Sequence, residues 1–133
     1  LNEATGRFYA TSAYLDRMGR PKTIAELAKH DWVAYGDIDR GVEFLTNFGI
    51  PVTPDNFRVG SGNGLVAWEL ARAGLGICPM DSIIGDSTPG LERVLPDALE
   101  VPFPVWLVAH RELHTSPKIR LVFDLLAQLL SDR

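Results

Sequence analysis

The chain has 133 residues, 46% hydrophobic and 23% charged, a balance that excludes intrinsic disorder and suits one packed domain or two small lobes. Thirteen Lys and Arg against 17 Asp and Glu leave a net charge of −4, which excludes a basic nucleic-acid-binding face on the chain itself. The single cysteine, Cys78, excludes a disulfide framework and a cysteine-rich zinc site and points to a reducing, cytoplasmic compartment; no apolar run reaches the roughly 18 residues of a membrane helix.

The opening residues Leu1-Asn2-Glu3-Ala4-Thr5-Gly6 carry neither an initiator Met nor the basic and apolar regions of a signal peptide, so the chain reads as a piece of a longer protein. Arg7 to Thr11 is rich in strand formers and predicts a strand. Ser12 is placed to cap a helix over Ala13 to Met18, closed by Gly19, and Thr23 with Glu26 reads as a capping box for a second short helix. Trp32 to Tyr35 predicts the next strand. Gly, Pro, Asp and Asn crowd residues 36–56 and predict irregular structure around one short element from Val42 to Phe48.

Phe57 to Val59 predicts a strand, Gly60 to Gly64 a tight turn, and Leu65 to Ala73 a helix that Gly74 and Gly76 end. Ile77 to Met80 is the following strand, and Asp81 is placed to cap a brief helix after it. Phe57 to Met80 is therefore predicted as a βαβ unit, with parallel strands joined by a right-handed crossover. The unbroken apolar run Pro104 to Ala109 predicts a strand buried on both faces. Ser116-Pro117 opens the longest helix, with Ile119, Val122, Phe123, Leu126, Leu129 and Leu130 as its apolar stripe. The fold class is α/β.

Candidate chemistry centres on the turn Gly60 to Gly64. A helix N-terminus offers unpaired N–H groups and a partial positive charge, so it attracts a carboxylate or a phosphate, and Ser61 and Asn63 add short polar side chains. The bland alternative is a glycine turn whose Ser61 or Asn63 simply caps the helix. A dinucleotide site, with Asp81 as the ribose-binding acid, is a weaker fit: the fingerprint G-x-G-x-x-G needs a third glycine where Leu65 stands. A nucleophile elbow at Ser61 fails on Val59 and Asn63, which occupy the required glycine positions. His110 and His114 lie four apart but flank a predicted strand end, where that spacing does not align side chains, so a solvated turn is the better reading and no metal site is expected. Cys78 reads as an inert core thiol, and Trp32, Trp68 and Trp106 as core. No residue set specifies catalysis, so no enzyme activity and no cofactor are expected.

The order of the motifs resembles the effector-binding domain of LysR-type transcriptional regulators. Phe8-Tyr9-Ala10-Thr11-Ser12-Ala13-Tyr14-Leu15 with Gly19-Arg20-Pro21-Lys22-Thr23 is similar to the opening of that domain's second lobe, and Leu27-Ala28-Lys29-His30-Asp31-Trp32-Val33-Ala34-Tyr35 continues it. Phe57-Arg58-Val59 through Leu70-Ala71-Arg72-Ala73-Gly74-Leu75-Gly76-Ile77-Cys78-Pro79-Met80 resembles the family's most recurrent block. Leu91-Glu92-Arg93-Val94-Leu95-Pro96, Pro104-Val105-Trp106-Leu107-Val108 and Ser116-Pro117-Lys118-Ile119-Arg120 resemble its ending.

The resemblance implies a type 2 periplasmic-binding-protein-like fold: two α/β lobes with Rossmann- or flavodoxin-like βαβ sheets and the ligand between them. Residues 1–133 would then be a partial effector-binding domain. Residues 8–105 would form the second lobe, and 106–133 the return strand and C-terminal helix of the first. DNA would be bound only through an N-terminal domain that this chain does not contain. Carried over by position, the implied effector contacts are Thr11, Ser61, Gly62, Asn63, Pro79 and Met80, with Val105 and Trp106 beside them. The implied partner is a small effector, most often a carboxylate, whose binding shifts the closure of the lobes within a homo-oligomer. A plain periplasmic-type solute-binding protein, or a nucleotide-dependent enzyme using the Gly60 to Gly64 turn, are the competing readings. Loss of half the first lobe would leave the C-terminal stripe and the 104–109 segment exposed and favour self-association.

Overall fold

The computed structural model describes residues 1–132, and the chain falls into two compact units. One runs from Gly6 to Val101; the other joins Leu1–Thr5 to the chain from Pro102 onward.

β1 (Ala4–Thr11), which belongs to the Gly6–Val101 unit from Gly6 on, lies between two antiparallel neighbours. On one side β4 (Cys78–Asp81) pairs Tyr9 with Cys78 and Gly6 with Asp81; on the other β5 (Leu91–Arg93) pairs Thr11 with Leu91. A second, parallel pair is formed by β2 (Trp32–Tyr35) and β3 (Phe57–Ser61). The two sheets meet at a parallel bridge between Trp32 and Ile77, held by Val33 N–H to Ile77 O and Ile77 N–H to Asp31 O, both 2.9 Å. The expected βαβ unit is thus altered in one respect. The strands flanking α3 (Gly64–Arg72) do run parallel, but β2 lies between them rather than the two pairing directly.

Alternation along the strands explains the core. Phe8 and Ala10 of β1 and Trp32 and Ala34 of β2 face one buried cluster, while Tyr9 and Val33 face the other. The first cluster holds Tyr14, Leu15, Leu27, Leu45 and Ile50, and the second Ala67, Trp68, Ala71 and Cys78 from α3 and β4. Edge-to-face ring pairs anchor both faces, Phe8 with Trp32 at 5.4 Å and Tyr9 with Trp68 at 5.8 Å. Each such pair adds about 1 kcal/mol beyond its buried area.

Helix ends show where local prediction slips by a residue. α1 (Ser12–Met18) is capped by Thr11, not Ser12: the Thr11 hydroxyl accepts from Tyr14 N–H at 3.0 Å. Thr23 accepts from Glu26 N–H at 3.4 Å, but Glu26 returns its bond to Lys22 N–H rather than to Thr23, and the segment Ala25–Lys29 is a 3-10 turn. The larger difference is α2 (Ile38–Asn47), a ten-residue helix where one short element from Val42 to Phe48 is expected amid irregular structure; it begins four residues earlier. Asp37 starts it by accepting from Asp39 N–H at 2.8 Å, and Leu45 buries its inner face. α4 (Ser82–Ser87) is capped by Asp81 as expected.

The other unit departs most from expectation. The strand predicted at Pro104 to Ala109 does not form, and a three-residue strand, β6 (Val101–Phe103), precedes it. Without a neighbouring strand the 104–109 segment has no ladder to join, and Trp106 and Val108 are 78% and 82% exposed instead of buried. α5 (Pro117–Ser131) begins at Pro117 as expected, though the Ser116 side chain makes no capping bond. No residue of α5 is buried; Leu121, Val122, Leu125 and Leu129 are all more than half exposed.

Candidate functional site

β2, β3 and the Ile77–β4 segment run in one direction, so their carboxyl ends collect on one edge of the Gly6–Val101 unit. Tyr35 and Ser61 pair there, and the register from Trp32–Ile77 brings Met80 near the level of Tyr35. Because β1 runs antiparallel to β4, its start reaches the same edge, with Arg7 opposite Met80. The crevice outside the carboxyl ends of strands is where open α/β sheets bind ligands.

Five of the eight expected contacts collect at this edge: Ser61, Gly62, Asn63 and Met80, with Pro79 one residue back on β4. Thr11 does not join them. It pairs with Leu91 at the end of β1, two residues beyond the start of β4, so antiparallel pairing carries it to the opposite end of the sheet. Its hydroxyl caps α1 there, and it lines a separate cavity of about 320 Å³ with Glu69, Arg72, Gly90 and Leu91. Val105 and Trp106 lie in the other unit, on the extended segment rather than on a strand.

The turn is built by its own side chains. Ser61 Oγ accepts from Asn63 N–H at 3.1 Å, and Asn63 Oδ1 accepts from Leu65 N–H at 2.9 Å and Val66 N–H at 3.3 Å. The capping role is therefore realised, and it consumes acceptors. The Ser61 hydroxyl proton and the Asn63 amide N–H groups are left as donors, at the positive end of the nine-residue α3. At Gly62 a Cβ would meet nothing within 4 Å, so this is the open side of the turn. Gly60 has a different purpose: a Cβ there would sit 2.5 Å from Ala34 Cβ and 2.7 Å from Ala34 O, so its absence lets β3 lie close on β2. Asp81, the acid a dinucleotide site would need, accepts from Ile83 N–H at 2.8 Å as the cap of α4.

Two cavities open along this edge. One, of about 260 Å³, is lined by Ala34, Gly36, Ile38, Arg58, Ser61 and Gly62. The other, of about 300 Å³, lies against α2 and is lined by Trp32, Tyr35, Arg40, Phe44, Phe57 and Pro79 among others. Arg40 lies in the Gly-, Pro- and Asp-crowded stretch 36–56, Phe44 in its one expected short element and Tyr35 at the end of the predicted strand Trp32 to Tyr35, and none of the three sits in a motif that marks a site. The available signal was Asp37 as a cap followed by Ile38, Gly41, Val42 and Leu45 at helical spacing.

Other candidates are structural. Burial pushes the Cys78 thiol up to about 12, which makes it a poor nucleophile. His110 and His114 fall at the start of and within a 3-10 turn, where a four-residue step does not align side chains, and His110 Nδ1 accepts from Glu112 N–H at 3.3 Å. Among the described residues no cluster of His, Cys, Asp and Glu could hold a metal ion, and no helix is long and apolar enough to cross a membrane.

Comparison with known proteins places this geometry. The sequence profile of the LysR substrate binding domain matches residues 7–131. No curated protein matches the chain by sequence. Among solved structures, the regulatory domain of CrgA, a LysR-type transcriptional regulator from Neisseria meningitidis, superposes with a TM-score of 0.75 at 19% identity, over 98% of this chain and 66% of that one. Full-length AphB, the Vibrio cholerae virulence activator, gives 0.67 at 22% identity, over 92% of this chain and 44% of that one. The regulatory domain of AphB from Vibrio vulnificus gives 0.57 at 18%, over 97% and 66%. The chain thus spans just under two-thirds, or less, of the structures it matches.

Proposed function

The chain belongs to the LysR substrate binding domain family, a ligand-sensing regulatory domain, and we propose that its Gly6–Val101 unit is the second lobe of that domain and meets a small anionic effector at the carboxyl edge of its sheet. The family is one of regulator domains rather than enzymes, and in this reading the chain performs no catalysis. The observation that carries the site is the Ser61 to Asn63 turn: an open glycine flanked by two donor side chains at the positive end of α3. The contacts in this reading are Ser61, Gly62, Asn63, Pro79 and Met80; Thr11, at the far end of the sheet, takes no part.

The first lobe of the parent protein supplies the rest of the contact, and DNA is bound by a separate domain of that parent, in the cytoplasm, within a homo-oligomer. Signalling is a population shift, since an effector moves the equilibrium only by its differential affinity for two states. A hundredfold difference supplies about 2.7 kcal/mol, enough to invert a modest bias.

The test is an amide NMR titration of this chain with acetate and succinate. Movement centred on Ser61, Gly62, Asn63 and Met80 is the expected result, with no response to a dinucleotide. Movement only elsewhere, or a dinucleotide response at the turn, overturns the reading.

A further inference from the structure

We propose that the cavity between α2 and the sheet binds an aromatic monoanion, with Arg40 taking the carboxylate and Tyr35 and Phe44 enclosing the ring. The proposal rests on the sensing role above and names the ligand class for the part of the edge that the turn does not form.

The cavity measures about 300 Å³, the lower end of small-ligand sites, which suits one ring and its substituent. Its floor is core: Trp32, Leu45 and Phe57 are at least nine-tenths buried. Its walls are not. Tyr35 is 63% exposed and Phe44 40%, two large aromatic faces left in water beside an apolar floor. A planar apolar ligand would cover both, and aromatic pairs gain from edge or offset contact beyond the area removed from water.

Arg40 is the one charged residue in this lining, and it joins none of the ion pairs formed among the described residues. A guanidinium is a planar fork that matches a carboxylate with two parallel N–H bonds. One cation against otherwise apolar walls selects a single negative charge. A neutral ring would leave Arg40 unused, an aliphatic acid would leave the rings uncovered, and a dianion would press its second charge onto apolar surface.

The sequence of α2 shapes the opening. Arg40, Gly41, Phe44 and Leu45 lie on one helical face, and Gly41 keeps the space between the two rings and the charge. A Cβ at Gly41 would stand 3.5 Å from the Phe57 ring, ordinary contact, so the helix accepts a side chain there while the cavity loses its room.

The experiment is an amide NMR titration of the 133-residue chain with sodium benzoate, alongside acetate and benzyl alcohol as its two halves. We expect saturable benzoate shifts at Tyr35, Arg40, Gly41 and Phe44, with each half binding there at least about tenfold more weakly. Arg40→Gln, an exposed position, weakens benzoate about tenfold. Gly41→Leu removes the α2 shifts, and Gly41→Ala, which adds only the accommodated Cβ, weakens them. Equal response of the α2 residues to acetate, benzoate binding unchanged in Arg40→Gln, or no benzoate shifts at α2 overturns the proposal. Benzoate shifts confined to Ser61–Leu65 overturn it too, while leaving the turn as the effector edge. The two readings fail separately, because the acetate response at Ser61 to Asn63 reports the turn alone.

Discussion

Individual residues carry more of this fold than their type suggests. Gly85 is buried under the Tyr9 ring, and a Cβ there would lie 2.1 Å from Tyr9 Cζ. The ring cannot swing away, because its hydroxyl donates to Asp86 at 3.0 Å and Asp86 in turn pairs with Arg93. Gly85→Ala is therefore expected to cost about 1–3 kcal/mol by overpacking, read as a lowered urea midpoint.

His30 makes a second case. It is 5% exposed, its Nδ1 lies 3.1 Å from Tyr14 Oη, and Tyr14 Oη accepts from Asp31 N–H at 2.8 Å. Burial lowers its pKa below the ordinary 6.5 and so favours the neutral ring, and Asp31 and Glu26 offset this only in part. The native state then holds this proton more weakly than the unfolded chain. Stability from His30 is complete above about pH 6.5 and is lost as the pH falls from there through the folded value. Unfolding midpoints between pH 8 and pH 5 should fall on the acid side, and His30→Gln, which keeps an acceptor but does not titrate, should flatten that fall. A thiol pushed up to about 12 predicts in turn that Cys78 is inert to an aromatic disulfide reagent at pH 8 until the chain unfolds.

At the scale of elements, α3 depends on one side chain at its start. Asn63 satisfies two of the orphan N–H groups of the first turn, so Asn63→Ala should cost about 1 kcal/mol, and Asn63→Asp, which keeps the acceptor, should cost little. The same pair separates capping from recognition. Asn63→Asp also removes the amide donors and places a negative charge at the turn, so it should retain stability yet lose any carboxylate response. β2 and β3 depend similarly on Gly60, which has no room for a methyl group against the Ala34 backbone.

For the whole molecule, the decisive feature is apolar surface that nothing in its own unit covers. Leu121 is 71% exposed, Leu125 53% and Leu129 61% on α5, and Trp106 and Val108 stand out on the preceding segment. Contiguous patches of this kind drive association. Sedimentation should show concentration-dependent self-association of this chain, weakened by Leu125→Glu with Leu129→Glu. A monomer across the micromolar range would contradict this expectation.

Local rules were enough to read the α/β class, β2, β3, α3, α5 and the Asp81 cap, because periodicity and capping act within a few residues. The chain order of the motifs was enough for the family. What needed the tertiary structure was everything that depends on distant partners. β1 pairs Gly6 with Asp81 and Thr11 with Leu91, residues far apart along the chain, and no local pattern records such a register. Whether β2 separates the strands around α3, and which end of the sheet Thr11 occupies, follows from that pairing alone. The 104–109 run is as apolar as any buried strand, yet a strand exists only where another chain segment takes its hydrogen bonds. The same holds for the α2 cavity, whose rings come from β2, β3 and α2 and meet only once those elements pack.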